Sequence, residues 1–168
     1  SPMVHAIPIV TSESKSRSHI LQRGSMSTVL PLKPERFRLD SHMDDRGWVW
    51  PLELPSEALR IYMSKNIRRG LIRAWHGHPK EWRVITCLQG KARVCALDLN
   101  DHRIVYIFDI DYAWPETIYI PAGYATGWQS LDWEAKLMFV SPAHYIDRDD
   151  SNLSDTIRHE VWEPDARL

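Results

Sequence analysis

Residues 81–99 read EWRVITCLQGKARVCALDL, and this stretch decides the fold. Two runs rich in valine, leucine and other strand formers meet at Gln89-Gly90, where a turn residue interrupts them. In the second run Ala92, Val94 and Ala96 fall on one face and Arg93, Cys95 and Leu97 on the other, the period of two that a strand requires. Outward from this pair the pattern repeats. GWVWPLEL (47–54), LRIYMSKN (59–66) and GLIRAWHGH (70–78) precede it, and HRIVYIFDI (102–110), ETIYIPAG (116–123) and AKLMFVSPAHY (135–145) follow. Short strands at such spacing, broken by Asn, Asp, Gly and Pro, predict an all-β antiparallel sandwich or barrel. Only the tail from Asp149 onward reads as able to hold a helical turn.

The 168 residues suit one domain with a substantial core. A formal charge of −1 argues against bulk attraction to nucleic acid or to a membrane surface. Cys87 and Cys95 lie inside apolar runs and form no C-x-x-C, so they are expected to be buried free thiols in a reducing compartment. No apolar stretch approaches the roughly 20 residues a membrane helix needs, and a cytoplasmic location is expected. The Ser-rich stretch TSESKSRSHILQRGSM differs from the rest. Residues 1–25 read as a flexible leader or an appended segment, and residues 26–168 as a single domain.

Gly70, five residues, then His76-Gly77-His78 has the spacing of the first metal-binding motif of the double-stranded β-helix proteins, the cupins. The remainder of the motif does not follow: Glu81 comes after only two residues, and Gly90 is also out of place. In the second cupin motif, Pro121-Ala122-Gly123 leads to Thr126 where a metal histidine belongs, and a hydroxyl is a poor replacement for imidazole. The histidine pair is therefore read with no metal and no cofactor.

The same residues resemble a metal-free branch of the cupins, the dTDP-4-dehydrorhamnose 3,5-epimerase family. Gly70-Leu71-Ile72-Arg73-Ala74-Trp75-His76 is similar to its Gly-Val-Leu-Arg-Gly-Leu-His. Asp45-Arg46-Gly47 is similar to its Asp-Arg-Gly, and Ile120 to Trp128 to its Ile-Pro-x-Gly-Phe-Ala-His-Gly-Phe. The resemblance spans roughly residues 44 to 146 and implies a cupin jelly roll, a homodimer, and a nucleotide-sugar substrate. It implies that His76 removes the proton beside a C4 ketone, that Arg46 and Arg73 contact the diphosphate, and that Arg83 stands where a lysine steadies the enolate. Tyr145 then matches a second tyrosine of the family, which places Phe139 where the family has its tyrosine acid. The histidine's carboxylate partner is left open among Asp149, Asp150 and Asp155.

Independent chemistry supports those residue types, since a carbon acid needs a base poised near neutral pH and a fixed charge near the oxygen. Strand alternation alone sends Arg73 to the face opposite His76 unless a bulge intervenes. The run Arg73 to His78 is also similar to Arg-Gly-Phe-His-Ala-His of the dTDP-sugar 3,4-ketoisomerases, and Arg60-Ile61-Tyr62 to their Arg-Val-Tyr. In that branch both histidines move protons, so His78 joins the catalytic candidates. The expectation is an isomerase of 4-keto-6-deoxy sugar nucleotides, an epimerase first and a ketoisomerase second, with a non-catalytic sugar or nucleotide binder as the third reading.

Overall fold

A computed structural model describes residues 15–16, 30–38 and 41–164. The strands are β1 (Lys15–Ser16), β2 (Glu35–Arg38), β3 (His42–Asp44), β4 (Gly47–Val49), β5 (Arg60–Asn66), β6 (Ile72–His78) and β7 (Arg83–Gln89). They continue with β8 (Lys91–Asp98), β9 (Val105–Asp111), β10 (Glu116–Ile120), β11 (Tyr124–Ser130), β12 (Ala135–Ser141) and β13 (Ser151–Asn152). Two sheets, ordered β1-β2-β10-β7-β12-β5 and β13-β6-β11-β8-β9, face each other as a jelly roll of the cupin type. All the pairings are antiparallel except β1 with β2. Apart from Lys15–Ser16, the leader expected over residues 1–25 lies outside the described residues. No helix among the described residues is long and apolar enough to cross a membrane.

The decisive stretch is a corner, not a hairpin. β7 pairs with β10 and β12 in one sheet, while β8 pairs with β9 and β11 in the other. Gly90 makes that crossing with φ +69, and a Cβ there would meet the Glu134 carbonyl oxygen at 2.1 Å. Only glycine fits.

Alternation then sorts the side chains. Ala92, Val94 and Ala96 of β8 turn inward against Ile85, Leu137 and Phe139 of the facing sheet. Cys95 and Leu97 turn outward, where Trp75, Val161 and Trp162 cover them. Arg93 holds that cover down, donating to the Val161 carbonyl at 2.9 Å and to Glu163 at 3.0 Å. On the other outer face, Leu52, Leu54 and Ala58 pack over Trp82, Val84 and Tyr119. Those three residues come from an irregular segment. The strand expected over 47–54 stops at Val49, because Pro51 and Pro55 cannot donate to a ladder. Both cysteines are buried and free, and Trp75, Trp82 and Trp128 are buried. Trp48 and Trp114 stay exposed.

Candidate active site

One end of the sandwich opens into a cavity of about 320 Å³ between β5 and β12 on one wall and β6 and β11 on the other. That is the low end of the size range for small-molecule sites. Arg60, Tyr62 and Ser64 alternate along β5 into the cavity, and Phe139 of β12 stands beside them. The opposite wall carries Arg73, His76 and His78 of β6 with Thr126 of β11. Tyr145, Arg148 and Asp150, from the segment after β12, complete the rim.

Arg73 shares the cavity with His76 because β6 is bulged. Thr126 pairs with His76, but Trp128 pairs with Arg73, so two residues of β6 oppose one of β11. The extra residue reverses the parity between the two side chains, which is what a bulge does to a strand. The guanidinium is held there by Asn66 Oδ1 at 2.7 Å and the Lys65 carbonyl at 3.2 Å.

β13 supplies the carboxylates. Ser151 pairs with Gly77 and Asn152 with His76, which brings the preceding two aspartates onto the two histidines. Asp150 Oδ1 lies 3.5 Å from His76 Nδ1, and Asp149 Oδ1 lies 3.2 Å from His78 Nδ1. The close approach depends on Gly77, where a Cβ would meet Ser151 Oγ at 2.6 Å. Asp155 is exposed, beyond this strand.

The two histidines have different surroundings. His76 keeps 46% of its side chain exposed, and His78 only 3%. Burial and the adjacent Arg83 guanidinium pull His78 down to about 4, against the opposing effect of Asp149. Its imidazole is therefore neutral at pH 7. Behind it, burial and Asp149 raise Glu81, while Arg83 pulls it down. Asp149 is also pushed up by burial, but the Lys80 amide, Glu81 and His78 hold it below the usual carboxylate range.

A stability prediction follows from the neutral His78. The unfolded chain takes up a proton near pH 6.5 and the folded chain only near 4, so the contribution is complete above 6.5 and lost as pH falls toward 4. The full difference is on the order of 3 kcal/mol. Urea unfolding at pH 7 and pH 4.5 should show the wild type losing about 2 kcal/mol more than His78→Gln. Equal losses in both proteins would refute this.

Arg83 is 1% exposed and lies behind His78, outside the cavity lining. Its Nη2 donates to Glu81 Oε2 at 3.0 Å and faces His78 Nδ1 at 3.0 Å, while Nε donates to the Tyr62 hydroxyl at 3.1 Å. This differs from a cation facing an enolate directly. The ligand atoms of His78, Glu81 and Asp149 come within 4.8 Å of one another. A divalent cation fits poorly there, because the fixed guanidinium charge already lies against Glu81 and His78.

Arg46 is placed elsewhere. It sits in the β3–β4 hairpin, 84% exposed and ion-paired with Asp44, and it is not among the cavity residues. Arg60 and Arg148 line the cavity with Arg73 instead. Tyr145, stacked on the Arg148 guanidinium at 3.7 Å, lines it as well. Tyr62 is the functional candidate that sequence reasoning missed. It pairs with Phe139 across β5 and β12 and stacks on it, ring centroids 4.9 Å apart. The hydroxyl absent from Phe139 is thus present on its neighbour. The signal was the alternation of Arg60, Tyr62 and Ser64.

No family model and no curated protein matches the chain. Solved structures share its fold. A dTDP-4-dehydrorhamnose 3,5-epimerase from Bacillus anthracis str. Ames, with TDP and PPi bound, superposes with a TM-score of 0.66 at 18% identity. The match covers 75% of this chain and 81% of that one. A 3'-monoepimerase from Streptomyces bikiniensis, in complex with dTDP-quinovose, gives 0.63 at 16% identity, covering 72% and 69%. A sugar 3,4-ketoisomerase from Thermoanaerobacterium thermosaccharolyticum, in complex with TDP, gives 0.63 at 17%, covering 77% and 94%.

Proposed function

We propose that this protein is an isomerase that epimerises a nucleoside-diphosphate 4-keto-6-deoxy sugar by removing a proton next to the ketone. The observation that carries the reading is His76: a half-exposed imidazole in the cavity, 3.5 Å from Asp150, with Tyr62 of the other sheet lining the same cavity. His76 takes the proton from carbon, and the bonding pair moves onto the carbonyl oxygen as an enolate. Tyr62 returns a proton to the same carbon from the other face, which inverts the centre. His76 then carries a proton and Tyr62 has lost one, and exchange with water resets both. A base and an acid on opposite walls are what inversion requires.

Three guanidinium groups, Arg60, Arg73 and Arg148, line the same cavity and suit a diphosphate. Among the described residues the Nε of Arg60 is buried without a hydrogen-bond partner, as an anion-binding group awaiting its ligand is. The nucleotide-bound epimerases of the same fold agree with this substrate class. Acid–base chemistry of this kind needs no cofactor. A homodimer would cover part of the apolar surface left exposed at Trp48, Val49 and Trp114, and the two buried free thiols fit a cytoplasmic setting. Residues 26–168 are read as one functional domain.

The second reading, 3,4-ketoisomerisation, is favoured by one observation: His76 and His78 line a single cavity. Product analysis by NMR after incubation with a dTDP-4-keto-6-deoxyhexose separates the two. An inverted centre at C3 or C5 supports epimerisation, and a carbonyl moved to C3 supports the isomerase. An unchanged sugar that nevertheless binds would overturn both and leave a binding protein.

A further inference from the structure

We infer that His78 is a hydrogen-bond donor to the substrate's carbonyl oxygen, its proton fixed on Nε2 by Arg83 acting as a positioning residue. This deepens the function proposed above and rests on that reading. His78 lines the cavity and is almost wholly buried, yet its Nε2 has no hydrogen-bond partner among the described residues. A buried polar atom in that condition costs stability unless something arrives to satisfy it. The cavity is where a ligand atom would come from.

Which hydrogen Nε2 offers depends on the other ring nitrogen. Arg83 can only donate, and its planar fork fixes where its N–H groups point. One Nη2 hydrogen goes to Glu81 Oε2 at 3.0 Å, and the other meets His78 Nδ1 at 3.0 Å. Nδ1 must then present a lone pair, and in a neutral imidazole the proton sits on Nε2. Asp149 Oδ1, at 3.2 Å from the same Nδ1, competes for the opposite tautomer. The guanidinium is nearer, and it cannot withdraw its hydrogen. Glu81 and the Trp82 carbonyl, at 3.0 Å from Nη1, hold it in place.

The consequence is an electrostatic one. Arg83 is too deep to reach the substrate, but its charge polarises the imidazole that does. As negative charge gathers on the carbonyl oxygen during proton abstraction, a preorganised donor strengthens its hydrogen bond without reorganising. Arg83 also fills an acceptor site of the Tyr62 oxygen through Nε at 3.1 Å, which leaves the Tyr62 proton free for the cavity. One buried cation thereby makes donors of two cavity groups. A His78 locked in this form does not shuttle protons, as the ketoisomerase reading would require.

Nitrogen-15 NMR of histidine-labelled wild-type protein tests the assignment without any substrate. The expected spectrum has a protonated Nε2 and a bare Nδ1 for His78, unchanged from pH 5.5 to pH 9. A protonated Nδ1, or titration near neutrality, would overturn the proposal. Arg83→Met should raise the Nδ1-protonated population, a change that loss of packing alone would not cause. On a dTDP-4-keto-6-deoxyhexose, His78→Gln retains an amide donor and should stay within about 10-fold of wild type. His78→Ala should fall about 10²- to 10³-fold, the scale of losing one oxyanion donor. Equal losses in both variants would make His78 a proton-transfer group and contradict the inference. A wild type that turns over no such sugar would instead defeat the proposed function, and the tautomer measurement would still decide how His78 is held.

Discussion

Replacing His76 with asparagine should lower turnover of a 4-keto sugar nucleotide by about 10²- to 10⁴-fold, the range for a positioned general base. The fold survives, because the side chain is about half exposed and its partner Asp150 is on the rim. Nucleotide binding survives too, since Arg60, Arg73 and Arg148 are untouched. The comparison to make is kcat against the dissociation constant for dTDP, with thermal unfolding as a control. A fall confined to kcat fits the account. Near-wild-type turnover would remove His76 from the mechanism, and a parallel loss of binding would make it a contact residue only.

Tyr62→Phe carries the second large effect. One oxygen is lost, the ring still stacks on Phe139, and Arg83 gives up one hydrogen bond, worth roughly 1 kcal/mol. Inverted product should fall by at least about 10²-fold, within the range for a general acid. Abstraction by His76 should continue in this variant. In deuterium oxide the substrate should therefore gain deuterium at the attacked carbon with its configuration retained, because the enolate is reprotonated from the His76 side. Retained inversion at wild-type rate would place the acid elsewhere. Loss of exchange as well as inversion would mean that Tyr62 supports abstraction itself.

Much of the fold is legible in the sequence because alternation is a local property. Ala92, Val94 and Ala96 face the core as the period of two requires. What alternation leaves open is which strands pair. The chain changes sheets at Gly90, and only the contact with Glu134, far along the sequence, shows why a glycine stands there. The site follows the same division. His76 and His78 are visible as a pair in one strand. The position of Arg73 depends on the bulge, which arises from the register against β11. Asp149 and Asp150 reach the histidines through a two-residue strand that no local pattern marks, so spacing could not choose among the tail aspartates. Arg83 reads as a cation for the cavity until its partners are known, and Glu81, His78 and Tyr62 then place it beneath the floor. Tyr62 replaces the hydroxyl missing at Phe139 from an adjacent strand, a relation that spans more than seventy residues of sequence.

In the proposed reaction a base on one sheet and an acid on the other act on a carbon beside a ketone. Incubation of the wild-type enzyme with a dTDP-4-keto-6-deoxyhexose in deuterium oxide, followed by NMR of the sugar, tests it most directly. The expected product carries solvent deuterium at C3, or at C3 and C5, on an inverted centre with the carbonyl still at C4. Deuterium at C4 with the carbonyl relocated to C3, or no exchange from a sugar that binds tightly, would contradict it.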